Sequence, residues 1–310
     1  MRLTVLVVSR TPSLLSRMLD SVAAATELSN QDVEILCSWN GNAADESDIR
    51  NDSGYEFNIA QRDTYHFASN MNALADKATG EVLLLINDDV VLDNGSIDAA
   101  LSCLAEKTST GLVGARLRDN EGRLTHAGIL FDRRHSPYHQ LDRLVSSEHH
   151  AVLGEPRPVP AVTGAAMLIG RDHFQALRFN PGYKVCGEDV ELCLALRRQL
   201  KLNVVYCPRF SGEHKGEATR SNEDGQSANS EDLTHIRGLH ERFLKTTNDD
   251  QLRIELAASV IEADILRSTI LSEREHNSPE YDEDWENQNH ALQLARLKLE
   301  QKLKQAERGA

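Results

Sequence analysis

Short runs of aliphatic and β-branched residues alternate with longer stretches of helical spacing over residues 3–107. The predicted strands are LTVLVVS, VEILCSW and EVLLLIN, at residues 3–9, 33–39 and 81–87. The predicted helices are PSLLSRMLDSVAAATEL, FASNMNALADKA and SIDAALSCLAEK, at residues 12–28, 67–78 and 96–107. Strands that alternate with helices predict a mainly parallel sheet with helices on both faces, which is an α/β fold.

The pattern changes in the middle of the chain. Residues 111–132 predict two strands around a turn at Asn120 to Gly122, and strands are predicted again at residues 161–170 and 202–208. Residues 190–200 predict an amphipathic helix whose basic residues stand at its C-terminal end, where the helix dipole favours them. Between these elements, residues 132–158 are polar and predict a long surface segment, which is commonly functional or disordered.

Helical spacing returns near the C-terminus. Residues 251–271 predict one helix, and residues 290–308 predict a second after the acidic break SPEYDEDWE. The second helix carries an apolar seam at Leu292, Ala295, Leu299, Leu303 and Ala306. We therefore predict a domain at residues 1–247 and a helical region at residues 248–310. The spacing leaves open whether that region docks on the chain itself or joins copies of it into a homo-oligomer.

Composition and charge narrow the possible partners. The net charge of -14 argues against nucleic acid as a partner, because a phosphate backbone requires a basic surface. No apolar run is long enough to cross a bilayer, and the N-terminus lacks an export signal. We expect a cytoplasmic protein, free or attached peripherally to the inner membrane. The five scattered cysteines are typical of reduced thiols.

Polar residues follow each of the first three predicted strands. They are Ser9-Arg10-Thr11, Trp39-Asn40-Gly41-Asn42 and Asn87-Asp88-Asp89. Ligands of parallel sheets bind beyond the carboxyl ends of the strands, so these residues predict one site. The adjacent carboxylates of Asp88 and Asp89 repel each other, and a hard divalent cation would relieve that repulsion. A solvated turn is the alternative interpretation.

Two later stretches add charged candidates. Glu188 and Asp189 precede a predicted helix, where the dipole stabilises carboxylates and where capping is the ordinary role. His214 lies in FSGEHKGEATR, with Lys215 and Arg220 nearby. Imidazole suits a metal and the cations suit a phosphate, although a surface histidine is the commoner case.

In order along residues 2–220, seven stretches resemble the family 2 glycosyltransferases. They are VLVVSRT, FASNMNALADKATGEVLLLINDD, GLVGARL, LTHAGIL, VTGAAMLIGRDHF, CGEDVELCLALRR and HKGEATR. The resemblance implies the GT-A fold, a Rossmann-like, mainly parallel sheet flanked by helices. The chain is most similar to bacterial transferases that add rhamnose, galactose or similar sugars to surface polysaccharides.

The resemblance also implies a metal site. Asn87-Asp88-Asp89 stands where the family has its DxD-type motif. Asp89 is therefore expected to bind Mn²⁺ or Mg²⁺, with Asn87 or Asp88 near the nucleotide ribose. His214 matches the histidine that completes the metal coordination in many members.

The remaining roles follow from the same resemblance. Glu188-Asp189 matches the ED motif, so Asp189 is expected to act as the general base while Glu188 orients the acceptor. The residues expected to bind the donor are Ser9, Arg10, Thr11, Asn40, Arg62, Asn70, Asn87, Asp88, Lys215 and Arg220. Asn70 also suits a helix cap. Trp39 stands where the family usually has an Asp, so either Trp39 stacks on the base or it packs and Asn40 contacts the base.

These expectations describe a metal-dependent, inverting glycosyltransferase. Its donor would be a UDP, dTDP or GDP sugar, and its acceptor a carbohydrate or a lipid-linked glycan. A nucleotidyltransferase is a rival, but the stretch after the first strand lacks a Gly-rich, Lys-bearing phosphate loop. A catalytically silent carbohydrate-binding or scaffold protein is the second rival.

Overall fold

The computed structural model of the protein describes residues 2–215 and 223–277. The strands in these ranges are β1 (Leu3–Ser9), β2 (Val33–Trp39), β3 (Glu56–Gln61), β4 (Val82–Asn87), β5 (Val90–Leu92), β6 (Thr110–Arg118), β7 (Leu124–His126), β8 (Ile129–Phe131), β9 (Pro137–His139), β10 (Arg157–Pro158), β11 (Ala166–Gly170) and β12 (Asn203–His214). The helices are α1 (Pro12–Ala25), α2 (Phe67–Lys77), α3 (Ser96–Glu106), α4 (Arg171–Leu177), α5 (Glu188–Ala195), α6 (Glu223–Thr246) and α7 (Asp249–Asn277). A short 3₁₀ helix covers Ala43–Asp48.

One mixed, mostly parallel sheet forms the centre of the molecule. Its strand order is β10-β12-β6-β11-β4-β1-β2-β3, and β5 and β7 pair with β12 and β6. Strands β4, β1, β2 and β3 run parallel, whereas β11 runs antiparallel to both β4 and β6. Helices flank this sheet, so the α/β prediction is confirmed.

The first three predicted strands appear where the pattern placed them. All seven residues of β1 and of β2 are buried, which explains their near-continuous apolar sequence. Strand β3 was not predicted, because EFNIAQ is partly polar. It lies at the edge of the sheet, where only one neighbour covers it and exposed side chains are tolerated.

Three elements in the middle of the chain differ from the predicted pattern. The second strand of residues 111–132 is divided into β7 and β8 by Gly128, whose φ of 121° is accessible mainly to glycine. Helix α5 ends at Ala195 and continues as a π-helical turn to Leu200. Strand β12 extends to His214, because its last residues pair with β5.

The polar segment at residues 132–158 is folded. Leu141, Val145 and Val152 are buried within it. The Tyr138 hydroxyl donates a 2.7 Å hydrogen bond to Glu262 Oε2, and Gln140 Nε2 donates to the Ala258 carbonyl at 3.2 Å. These contacts attach the segment to α7.

Arg197 joins the sheet domain to the helices that follow it. Its side chain is fully buried and donates to Gln251 Oε1 and Glu255 Oε1, both at 2.7 Å, and to the Pro160 carbonyl at 2.9 Å. The helix-dipole interpretation stays a prediction for Arg197, whose charge is also paired with Glu255. It remains suitable for the exposed Arg198.

The first compact unit of the chain extends to Ile265, and Leu266 begins a second unit. The predicted helix at residues 251–271 lies within α7. The proposed boundary at residue 247 stays a prediction. The predicted helix at residues 290–308 lies outside the described residues, and so does the seam proposed for oligomerisation.

Helix α6 was not predicted because most of its residues are polar. Its buried residues Ile236, His240 and Phe243 nevertheless recur three or four positions apart, as one face of a helix requires. Within residues 2–215 and 223–277, no helix combines the length and the apolar character needed to span a membrane. The expected cytoplasmic location stays a prediction.

Candidate active site

The carboxyl ends of β1, β2 and β4 lie together at one edge of the sheet. Strand register places Ser9 beside Trp39 and Val8 beside Asn87. A cleft of about 360 Å³ opens at this edge. The predicted site residues that line it are Ser9, Arg10, Thr11, Asn87, Asp88, Asp89, Glu188, Asp189 and Lys215. The two acidic clusters therefore share one cleft.

The antiparallel pairing of β5 with the end of β12 builds one end of the cleft. His214 pairs with Val90, so its ring lies beside the residue that precedes Val90. His214 Nε2 is 3.3 Å from Asp89 Oδ1, and both side chains are largely buried. The backbone N–H of Lys215 donates to the Asp89 carbonyl at 3.4 Å. Residues 125 positions apart in sequence thus form a pair of potential metal ligands.

The Asp89 and His214 pair suits a divalent ion. Two atoms that bind one ion at about 2.1 Å on adjacent octahedral corners are about 3.0 Å apart. The observed 3.3 Å separation is close to that value. Among the residues that the structure describes, no three His, Cys, Asp or Glu side chains form a metal-binding group. An ion here would complete its shell with water or a ligand's phosphate oxygens, as Mg²⁺ commonly does.

Asp88 lies beside this pair but contacts a different residue. The Ser9 hydroxyl donates a 2.6 Å hydrogen bond to Asp88 Oδ2. Burial, with a smaller contribution from the charge of Asp89, raises the pKa of Asp88 to about 6, although the Ser9 hydroxyl opposes the shift. A cation in the cleft would favour the ionised form.

The other end of the cleft is the first turn of α5. Gly187 caps this helix with a φ of 117°, and a Cβ atom there would lie 2.3 Å from Ile236 Cδ1, so only glycine fits. Asp189 Oδ2 accepts a 2.8 Å hydrogen bond from the Gly164 N–H. Asp189 Oδ1 accepts one of 2.7 Å from the Val190 N–H. These bonds orient the carboxylate.

Glu188 differs from Asp189 in its environment. Burial in the cleft raises the pKa of Glu188 to about 8, and the neighbouring charge of Asp189 adds to the shift. This raised pKa favours the protonated form of the Glu188 carboxyl group. It can therefore donate a hydrogen bond to a hydroxyl group in the cleft.

Asp232 supports the loop before α5 and was missed by sequence reasoning. It is buried, and its Oδ2 atom accepts hydrogen bonds of 3.1, 2.8 and 3.2 Å from the N–H groups of Lys184, Val185 and Cys186. Val185 and Cys186 line the cleft. Asp232 lies four positions before the buried Ile236, and this spacing, which places it on the buried face of α6, is the signal that sequence reasoning missed.

Three predicted donor-binding residues have partners outside the cleft lining. Arg62 forms a bidentate ion pair with Glu46, with distances of 2.6 and 2.7 Å. Asn40 Nδ2 donates to the Asp63 carbonyl. Asn70 Oδ1 accepts from the His66 N–H at 2.7 Å.

The N-cap of α2 is His66, whose Nδ1 accepts from the Ser69 N–H at 3.2 Å, so the cap interpretation of Asn70 was wrong, although its side chain contacts the backbone of the capping residue. Donor contacts by Arg62, Asn40 and Asn70 stay predictions. The Trp39 ring is buried in the core, and its Nε1–H donates to the Asn42 carbonyl at 3.0 Å. Trp39 therefore packs in the core, which was one of its two interpretations. Arg220 lies outside the described residues.

Solved glycosyltransferase structures share this fold. The mannosyltransferase PcManGT from Pyrobaculum calidifontis, in complex with GDP-Man and Mn²⁺, is 14% identical with a TM-score of 0.57, over 94% of this chain and 80% of that chain. GalNAc-T7 with UDP, GalNAc and Mn²⁺ is 16% identical with a TM-score of 0.52, over 69% of this chain and 44% of that one. S. aureus TarS 1–349 in complex with UDP is 12% identical with a TM-score of 0.51, over 86% of this chain and 71% of that chain. The predicted GT-A fold is confirmed.

Sequence comparison finds two curated relatives and one matching family model. The chain is 32% identical over 161 residues to the O-antigen biosynthesis protein RfbC of Myxococcus xanthus, and 30% identical over 165 residues to the uncharacterized protein y4gI of Sinorhizobium fredii. These matches cover 50% and 52% of this chain but only 12% and 18% of the relatives. The model of the glycosyltransferase like family 2 matches residues 2–230. On this match, which includes both acidic clusters of the cleft, the chain belongs to glycosyltransferase family 2.

Proposed function

We propose that the protein is an inverting, metal-dependent glycosyltransferase. It moves a sugar from a nucleoside diphosphate to a hydroxyl group of a carbohydrate acceptor. The observation that carries this proposal is the shared cleft, which is lined by Asp89 and by the Glu188-Asp189 pair, with His214 Nε2 3.3 Å from Asp89 Oδ1.

The proposed reaction requires charge stabilisation at one end of the cleft and a base at the other. A Mn²⁺ or Mg²⁺ ion held by Asp89 and His214 would, when bound, offset the negative charge that develops on the departing diphosphate. Arg10 and Lys215 line the same cleft and add positive charge. Arg10, Ser9 and Thr11 are proposed to contact the donor.

Asp189 is proposed to remove the proton from the acceptor hydroxyl. The acceptor oxygen then forms a bond to the anomeric carbon, while the bond from that carbon to the diphosphate breaks with its electron pair. Attack opposite to the departing group inverts the anomeric centre. The protonated Glu188 carboxyl would orient the acceptor by donating a hydrogen bond. A single base suffices, in contrast to the acid and base pair of glycoside hydrolases.

The relatives support the proposed substrate class. RfbC is named for O-antigen biosynthesis, and we propose a growing surface polysaccharide, free or lipid-linked, as the acceptor. The related structures hold GDP-Man or UDP, which supports a nucleoside-diphosphate sugar as the donor. The helical region at residues 248–310 is proposed to dock on the protein or to join copies of it.

Donor binding is expected to depend on a divalent ion. We would measure the melting temperature with GDP-mannose, UDP-galactose or dTDP-rhamnose, each with Mn²⁺ or with EDTA. A donor at 100 times its Kd is expected to stabilise the protein by about 2.7 kcal/mol when Mn²⁺ is present, and far less in EDTA. Release of nucleoside diphosphate would support the proposal. Consumption of added pyrophosphate, with formation of a nucleoside triphosphate and a sugar 1-phosphate, would instead indicate nucleotidyl transfer. Donor binding without any turnover would indicate a silent binding protein.

Asp89→Asn is expected to weaken Mn²⁺ binding. The amide keeps the shape of the side chain but removes the charge that faces the ion. Loss of an outer-shell partner typically costs about 10- to 100-fold in metal affinity, so loss of this ligand charge should cost at least about 100-fold. Titration calorimetry with Mn²⁺ and GDP-mannose would measure the change. The matched control is Asp172→Asn, an exposed carboxylate on α4, and equal affinities in both variants would refute the proposed site.

A further inference from the structure

His126 is a buried histidine with no role in the proposed reaction. It ends β7 and pairs with Leu117 of β6, and its side chain is only 1% exposed. It belongs to the stretch LTHAGIL, which helped to indicate the family. A polar ring in the interior needs hydrogen-bond partners, so its contacts indicate what it does.

One contact of His126 reaches the floor of the cleft. The Thr163 N–H donates to His126 Nε2 at 3.3 Å. Thr163, Gly164 and Ala165 all line the cleft and form a short connecting segment, the Thr163–Ala165 tripeptide. His126 therefore holds one end of this tripeptide from below.

The Thr163–Ala165 tripeptide touches both acidic ends of the cleft. The Gly164 N–H donates to Asp189 Oδ2 at 2.8 Å. The Ala165 carbonyl accepts from the Asn87 N–H at 2.9 Å, directly before Asp88 and Asp89. A shift of this tripeptide would change the position of the proposed base relative to the proposed metal site.

We propose that His126 is a positioning residue for sugar transfer, which sets the place of the Asp189 carboxylate by accepting the Thr163 N–H. This inference rests on the proposed function, because it assumes that Asp189 acts on the acceptor. His126 itself lies beneath the tripeptide and acts through Thr163 and Gly164.

The ring must be neutral to accept this bond. A backbone N–H is always a donor, so Nε2 must present its lone pair and the proton must reside on Nδ1. Burial lowers the pKa of His126 well below its usual value, and charge on His139 and His214 would lower that pKa further. His126 Nδ1 lies 3.4 Å from His139 Nδ1, which in turn lies 2.9 Å from the Thr125 carbonyl oxygen.

An apolar residue could fill the same space but could not perform the same role. With leucine at position 126, the Thr163 N–H would be buried without an acceptor, and the tripeptide would have to move to find one. Glutamine places an oxygen acceptor at about the position of Nε2. The two replacements thus separate the hydrogen bond from the packing.

The test compares His126→Leu, His126→Gln and the control His150→Leu, which changes an exposed histidine. Nucleoside diphosphate release from the donors above, with Mn²⁺ and with water as the acceptor hydroxyl, gives kcat and donor KM. His126→Leu is expected to lower kcat about 10- to 100-fold, as small misplacements do, with donor KM close to the wild-type value. His126→Gln is expected to restore most of the lost kcat, and His150→Leu to resemble the wild type.

Hydrogen exchange of the peptide at residues 161–166 supplies a second measurement that does not need activity. His126→Leu should raise exchange at Thr163 and Gly164, and His126→Gln should largely prevent the rise. The proposal is overturned if glutamine and leucine reduce kcat equally, or if His126→Leu alters kcat without altering exchange. A wild-type protein that releases no nucleoside diphosphate would refute the proposed function, and this inference with it.

Discussion

Asp189→Asn is expected to lower kcat for sugar transfer about 10²- to 10⁴-fold, the range that a general base contributes, while donor binding is retained. The carboxylate lines the cleft, and its two oxygens accept N–H groups from Gly164 and Val190. An amide of the same shape can keep one of these bonds but cannot accept a proton from the acceptor. Initial rates and thermal shifts with the donor and Mn²⁺ would measure both effects.

The controls for Asp189→Asn separate chemistry from folding. The asparagine NH₂ group must face one of the two backbone N–H donors, so a small drop in melting temperature is expected without donor. Asp172→Asn changes an exposed carboxylate and should leave both rate and stability unchanged. Near-normal transfer by Asp189→Asn would remove this residue from the mechanism, whereas lost donor binding would assign it to the donor.

Arg197→Met is expected to lower the free energy of unfolding by about 3–5 kcal/mol, the usual cost of removing one partner of a buried ion pair. Arg197 is fully buried, and its loss removes the 2.7 Å guanidinium partner of Glu255, which keeps His240 Nε2 at 3.5 Å, and the donor to the Pro160 carbonyl. The guanidinium group also lies 4.5 Å from the centre of the Phe243 ring, a contact that methionine replaces only in part. Guanidinium chloride unfolding would measure the change.

Arg198→Met is the matched control, because the neighbouring arginine is exposed. Surface substitutions of this kind usually change stability by less than about 0.5 kcal/mol. A double variant, Arg197→Met with Glu255→Gln, also removes the charge that Arg197→Met leaves on Glu255. Its loss in the free energy of unfolding should therefore be smaller than the sum of the losses in the two single variants. Equal stabilities of Arg197→Met and Arg198→Met would show that the buried pair does not hold α7 to the sheet domain.

The local sequence pattern was sufficient to predict much of the sheet and the site residues at the ends of its first strands. Strands β1, β2 and β4 are buried on both faces, so nearly every residue is apolar and the prediction follows directly. Their polar ends had to meet, because parallel strands align their carboxyl ends at one edge. The edge strand β3 and the polar helix α6 lack a strong pattern, and they were found only in the structure.

Contacts between residues distant in sequence determine the positions of the other site residues. His214 meets Asp89 because β12 continues past its predicted end and pairs with β5. Asp232 and His126 each hold a backbone segment of the cleft, yet no spacing in their own helix or strand indicates which segment each one contacts. The family resemblance supplied the roles of Asp89, Asp189 and His214, which the spacing by itself left open.

By itself, the sequence determined the buried strands β1, β2 and β4 with the helices between them, the edge at which ligands meet the sheet, and the residue types available there. It could do so because burial on one or both faces imposes a period on neighbouring residues. Only the tertiary structure decided which distant groups pair, such as Arg197 with Glu255 or His126 with Thr163. These pairings neutralise buried charges and complete buried hydrogen bonds. They depend on which groups are close in space, so they produce no periodic pattern in the sequence.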